Sequence, residues 1–152
     1  MACAEKKDRY ALVNEKGVNF RSVIDGSKHR FTPEISMQIQ HQLGADIMFA
    51  FDELTVLADT REYQEASVDR THRWAKRCLD EHDKLTRERV GKPLQSLWGV
   101  VQGAQYEDLR RKATRGLIEL LLLLLLDNLS YFSHRVHIFL SFVLQLIFQD
   151  YI

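Results

Sequence analysis

The sequence predicts an α/β fold in which short parallel strands are covered by helices. Two apolar runs without polar alternation, residues 46–51 and 97–101, fit strands buried on both faces. Helical periodicity before, between and after these runs gives an alternation of strand and helix, which implies a parallel sheet with right-handed crossovers. The chain has 152 residues, enough for one ordinary domain. It is too short for a complete eight-stranded (β/α) barrel, which needs about 250 residues.

Residues 14–31 are rich in turns, with Gly17-Val18-Asn19-Phe20, Val23-Ile24 and then Asp25-Gly26-Ser27. An Asp-Gly pair between such segments signals a hairpin, so this stretch predicts a small β-hairpin excursion at the surface. A helix follows, capped by Thr32, with Pro33 at its first position and Glu34 at the positive end of its dipole. Ile35, Ile39 and Leu43 predict its buried stripe, and Gly44 its stop. The strand at 46–51 comes next and ends in Asp52-Glu53.

Asp59-Thr60-Arg61 leads into a long predicted helix over 63–85, whose inner stripe is Thr71, Trp74, Ala75, Cys78, His82 and Leu85. Asp69, Arg73, Lys76, Asp80 and Lys84 lie outward. His72 and His82 have no paired ligand at helical spacing and read as packing or surface residues. Past Pro93, the strand at 97–101 ends in Gln102-Gly103. The last helix starts at Tyr106, with Leu109, Ala113 and Leu117 on one face and Arg110, Arg111, Lys112 and Arg115 on others.

Lys and Arg (21) balance Asp and Glu (21), which excludes a globally basic surface and restricts any nucleic-acid contact to a local patch. Composition breaks near Gly116: beyond it only Glu119, Asp127, Arg135 and Asp150 are charged, and leucine fills 120–126. The sequence therefore divides into residues 1–116 and an apolar tail, 117–152. The apolar runs 117–126 and 138–148 are both shorter than the roughly 20 residues that span a bilayer, so a membrane anchor is not expected. Cys3 and Cys78 are too few and too far apart for a disulfide framework or a Cys-rich zinc site. The charged N-terminus is unlike a secretory leader, and the expected location is cytoplasmic.

In a parallel sheet the C-terminal ends of successive strands lie side by side, so Asp52 and Gln102 should face one cleft. A carboxylate accepts two parallel N–H bonds, whereas a carboxamide both donates and accepts. Together they suit a planar heterocycle with a guanine-like edge, with Gly103 allowing close backbone approach. The same acidic strand end could instead bind a cation, a sugar hydroxyl or a helix N-terminus, or form a salt bridge at the rim.

Four blocks in order carry a family resemblance: GVNFRSVIDGSKHRFTPE (17–34), QLGADIMFAFDELT (42–55), RTHRWAKRCLDEH (70–82) and LWGVVQGAQYEDLRR (97–111). Over about a hundred residues the chain resembles bacterial tRNA-guanine transglycosylase, also called queuine tRNA-ribosyltransferase. The resemblance implies part of an irregular (β/α) barrel, about three strand-helix units plus the hairpin. It also implies exchange of guanine in tRNA anticodons for a 7-deazaguanine, queuine or its precursor, through a covalent aspartyl-ribose intermediate. By position, Asp52 is similar to the family residue that holds the base edge, and Gln102 to its base-reading glutamine.

Leu54 stands where the family commonly has cysteine, and Ala104 where it has glycine or serine. The family's nucleophilic aspartate, its Gly-Gly base loop and its zinc cluster have no counterpart in this sequence. No catalytic residue, metal ligand or cofactor is therefore assigned, and the chain is expected to be inactive alone. The implied partners are tRNA and the guanine or 7-deazaguanine base, with a second copy favoured by the open strand edges of a partial barrel. Two other readings are an RNA- or partner-binding module using Arg110, Arg111, Lys112 and Arg115, and a small membrane-associated protein.

Overall fold

A computed structural model describes residues 11–127. In chain order the elements are β1 (Ala11–Asn14), β2 (Gly17–Arg21), β3 (Lys28–Phe31), α1 (Pro33–Leu43), β4 (Ile47–Phe49), α2 (Arg61–Glu88), β5 (Ser96–Trp98) and α3 (Glu107–Asp127). They form a mixed α/β structure with two small sheets. One is antiparallel in the order β1-β2-β3, and the other is the parallel pair β4-β5.

The predicted hairpin is part of a three-stranded sheet. Its second turn is closed by Ser22 N–H to Ser27 O at 2.8 Å and Gly26 N–H to Ser22 O at 3.0 Å. The Asp25 carboxylate accepts from the Ser27 backbone N–H and hydroxyl, at 3.1 and 2.8 Å. Val23 and Ile24, read as strand residues, lie instead in this turn and are 85% and 93% exposed. The strand that pairs with β2 is the charged segment Lys28–Phe31, whose composition conceals its β conformation.

Helix α1 has the predicted ends. Thr32 Oγ1 accepts from Ile35 N–H at 3.3 Å, Pro33 opens the helix, and Gly44 closes it in the left-handed conformation. Its buried stripe differs from the expected one: Pro33, Met37 and His41 are buried, while Ile39 and Leu43 are exposed. Both sides of this helix carry apolar residues, and packing against α2 selects the Met37 side. The side chain of Arg77 on α2 holds Glu34 at 2.7 Å, and Gln38 donates to Glu81 at 2.8 Å, fixing that choice.

Helix α2 starts at Arg61, capped by Thr60, and packs against both α1 and α3. Thr71, Trp74, Ala75 and Cys78 are buried as predicted, His82 and Leu85 only partly, and Gln64, Ser67, Val68 and Glu81 join the stripe. The main core unites Met37, Ala50, Ala75, Cys78, Leu117 and Leu120, and a second cluster joins Val68, Leu109 and Ala113. Helix α3 passes through Gly116 without interruption, so the change in composition falls inside one continuous element. Leu117, Leu120 and Leu121, just past that break, are buried. Residues 128–152, including the apolar run 138–148, lie outside the described residues, as does Cys3. Among the described residues no helix is long and apolar enough to cross a membrane.

The parallel pair aligns Ile47 with Ser96, Met48 with Leu97 and Phe49 with Trp98. Flanking bonds extend it, Ser96 N–H to Asp46 O and Ala50 N–H to Trp98 O, both 2.8 Å. Burial on both faces is not observed. Met48 is fully buried, but Ile47 and Phe49 are 53% and 54% exposed. Helices cover one side of these two strands and leave the alternate side chains on the other side uncovered among the described residues.

Candidate functional site

The site begins where the parallel ladder stops. Because Phe49 pairs with Trp98, the chain segments that continue from β4 and β5 leave the sheet together. This brings Asp52 and Gln102, fifty positions apart, into direct contact: Gln102 Nε2 donates to Asp52 Oδ2 at 2.5 Å. Burial pushes the Asp52 carboxyl above the usual carboxylate range, with the Gln102 hydrogen bond pulling in the opposite direction. A half-desolvated carboxylate holding one amide N–H retains acceptor capacity for further N–H donors.

Asp52 borders an open cleft of about 270 Å³ between the end of β4 and the antiparallel sheet. Val13, Val18, Phe20 and Phe31 form one wall, and Phe51 and Asp52 stand on the other side. Phe20 and Phe31 pack edge to face with centroids 5.3 Å apart, and His29 stacks on Phe20 at 5.4 Å. The sequence reading gave this hairpin no chemistry. The period-two placement of Val18 and Phe20 on β2 is the one signal that could have marked the wall.

Several bonds hold the sheet in place. Trp74 Nε1 donates to Glu15 O at 2.8 Å, Arg73 grips the Glu15 carboxylate at 2.7 and 2.8 Å, and Arg77 donates to Glu15 O at 3.2 Å. The turn between β1 and β2 is thus clamped to α2, which carries the aromatic wall to the cleft.

Glu53 has a different task from its neighbour. Its side chain is only 2% exposed and is ion-paired with Arg70, while Tyr63 donates its hydroxyl to it at 2.6 Å. Its backbone N–H donates to Thr71 Oγ1 at 3.1 Å, and its carbonyl accepts from Ser67 Oγ at 3.3 Å. Four side chains of α2 therefore anchor the residue next to Asp52. One position earlier, Phe51 N–H donates to Cys78 Sγ at 3.2 Å. Burial raises the Cys78 thiol to about 11, so it packs as a neutral group. Sequence reasoning singled out the Asp-Glu pair but not this division of labour, because adjacent residues leave a strand end in different directions.

Gly103 is buried beside Gln102, with φ +126°. A Cβ there would lie 2.6 Å from Arg110 N and 2.8 Å from the Leu109 carbonyl carbon. The close approach it allows is therefore to the first turn of α3. Gln102 is fixed on the α3 side by this contact and by Tyr106 N–H bonding Gly103 O at 2.9 Å.

Of the four cations proposed for RNA on α3, Arg111 pairs with Glu107 at 2.8 Å and Lys112 with Asp69 at 2.7 Å, while Arg110 donates to Ala104 O at 2.7 Å. His82, expected to be a packing or surface residue, hydrogen-bonds through Nδ1 to His41 Nε2 at 3.0 Å, between α1 and α2. Among the described residues no three His, Cys, Asp or Glu side chains converge to hold a metal ion.

The family model described as queuine tRNA-ribosyltransferase matches residues 5–145, extending past Gly116. A queuine tRNA-ribosyltransferase of Lysinibacillus sphaericus is 45% identical over 112 residues, covering 74% of this chain and 28% of that protein. The Fusobacterium nucleatum enzyme of the same name is 49% identical over 108 residues, 71% of this chain and 27% of its own length. A Staphylococcus aureus relative is 46% identical over 108 residues, 71% of this chain and 27% of its own length. The chain thus spans somewhat more than a quarter of the curated relatives it matches. Matching a family model along most of its length, and 45–49% identical to curated relatives over more than two thirds of it, the chain belongs to the queuine tRNA-ribosyltransferase family.

Proposed function

We propose that this chain is the base-binding portion of a tRNA-guanine transglycosylase, built as part of a (β/α) barrel, and that its cleft receives guanine or a 7-deazaguanine. The observation that carries this reading is the Asp52–Gln102 contact beside an aromatic-walled cleft. The Asp52 carboxylate accepts the ring N–H and exocyclic amino group of the base edge as two parallel charge-assisted bonds. The Gln102 amide reads the neighbouring carbonyl or ring nitrogen, and Gly103 sets its position. Phe20 and Phe31 give the flat base an apolar wall.

The base comes from and returns to tRNA in the cytoplasm. The exchange itself proceeds by attack of a family aspartate on the ribose anomeric carbon with guanine leaving, and the incoming base then reverses the step. In this reading the chain by itself binds base without turning over tRNA. The ion pairs of Arg111 and Lys112 favour the Asp52 cleft over the α3 cations as the functional surface.

Guanine binding by calorimetry tests the assignment. Each charge-assisted hydrogen bond is worth about 1.5 to 3 kcal/mol, so Asp52→Asn should weaken guanine at least tenfold. Hypoxanthine, which lacks the exocyclic amino group, should bind the unsubstituted chain about as poorly. Equal affinity for the two bases, or an unchanged affinity in Asp52→Asn, refutes the role of Asp52. Release of labelled guanine from tRNA by this chain alone refutes its inactivity.

A further inference from the structure

The antiparallel sheet has two unlike faces. Alternation along β2 and β3, with Phe20 opposite His29 and Val18 opposite Phe31, puts those four residues on the side that walls the Asp52 cleft. The opposite side carries Arg21, Lys28 and Arg30. Arg21 and Lys28 are direct cross-strand neighbours, and Arg30 is two positions along β3 from Lys28 on the same face.

All three are exposed, and none is ion-paired with a carboxylate among the described residues. Arg61, Arg70, Arg73 and Arg77, by contrast, each have an acidic partner. The closest acid in sequence, Asp25, is bound to Ser27 at the turn. Like charges directly opposite one another weaken a sheet, so this arrangement gives the free protein no benefit. A guanidinium fork matches phosphate oxygens bidentately, and three exposed cations on one pleated face form a local basic patch in a chain with no net charge.

We propose that the Arg21–Lys28–Arg30 face binds the phosphate backbone of the RNA whose base enters the cleft on the other side of the same sheet. The inference rests on the base-binding reading above and adds to it the surface that holds the polynucleotide. One thin sheet would then present apolar side chains to the base and cations to its backbone, and the clamp on Glu15 would fix both relative to Asp52.

The test is fluorescence anisotropy of purified tRNA with the full chain between about 50 and 200 mM salt. Each phosphate contact contributes about 0.7 to 0.9 to the slope of log affinity against log salt. Replacing Arg21, Lys28 and Arg30 together by Gln should lower the slope by about 2 to 3 and weaken low-salt binding at least tenfold. Guanine affinity should not change. Lys28→Glu alone should raise the melting temperature, by giving Arg21 an opposite charge, while weakening tRNA binding. A merely structural defect would lower both.

An unchanged salt slope in the triple variant overturns the proposal, as does absence of tRNA binding by the unsubstituted chain. So does binding to phosphatidylserine vesicles that the triple substitution abolishes while tRNA binding persists. If guanine fails to bind but the salt slope depends on the three cations, the base-pocket reading falls and the RNA surface stands.

Discussion

Glu53 offers the sharpest test of how α2 positions the cleft. Glu53→Gln removes the charge facing Arg70 but keeps an oxygen to accept the Tyr63 hydroxyl. The Arg70 side chain is 20% exposed, its Nε is buried without a hydrogen bond, and its next carboxylate, Glu15, is 4.0 Å away. Breaking a buried pair by removing one partner costs about 3 to 5 kcal/mol. Partial exposure of Arg70 and the nearby Glu15 place this case at the lower end, about 3 kcal/mol. Glu53→Ala also gives up the Tyr63 bond and should cost about 1 kcal/mol more.

Equilibrium unfolding in guanidinium chloride measures the loss as a lower midpoint at constant slope. Guanine affinity should fall in parallel, because the tether on the residue beside Asp52 is loosened. Adding Arg70→Met to Glu53→Gln should recover more than half of the lost stability, since it removes the stranded cation. A cost below about 1 kcal/mol for Glu53→Gln, or strictly additive losses in the double variant, would refute the view that this pair anchors the loop.

Three further outcomes follow from the same geometry. Burial and Arg89 hold the His41 imidazole below its ordinary 6.5, with Glu81 opposing, so the unfolded chain takes up the proton first. Stability should be level above about 6.5 and decline as pH falls below it; a His41→Leu variant with the same pH profile in thermal melts would remove His41 as the cause. Asp52 behaves in the opposite sense. Its raised carboxyl means that its contribution to stability is present in acid and is lost as pH rises through the folded value. Asp52→Asn should therefore melt higher than the unsubstituted chain at pH 7, with the gap closing in acid, even as guanine binding is lost. Gly103→Ala, which combines left-handed strain with a backbone clash onto α3, should cost about 3 kcal/mol by chemical denaturation, and a loss under about 1 kcal/mol would contradict the close approach at Arg110.

Local rules were sufficient where a feature depends on one segment. Thr32, Pro33 and Gly44 set the ends of α1 through the needs of its terminal N–H and C=O groups. Alternating strands and helices implied a parallel pair, and the parallel pair brought Asp52 to Gln102. Local rules failed where two segments had to meet. Ile35, Ile39 and Leu43 form a regular stripe, yet α2 covers Pro33, Met37 and His41. Val23 and Ile24 have strong strand propensity but no neighbouring strand to pair with, while Lys28–Phe31 has one. The composition break at Gly116 falls inside α3, which runs from Glu107 to Asp127.

The order of residues alone determined the three helices, the parallel pair and the meeting of an acid with an amide, because these follow from backbone hydrogen bonding and side-chain period. Only the tertiary structure decided that Glu53 serves as an anchor while Asp52 meets Gln102, and that the hairpin presents phenylalanines to the cleft and cations to the outside. Those properties depend on which surfaces exclude water from one another, and that is fixed by contacts between residues far apart in the chain.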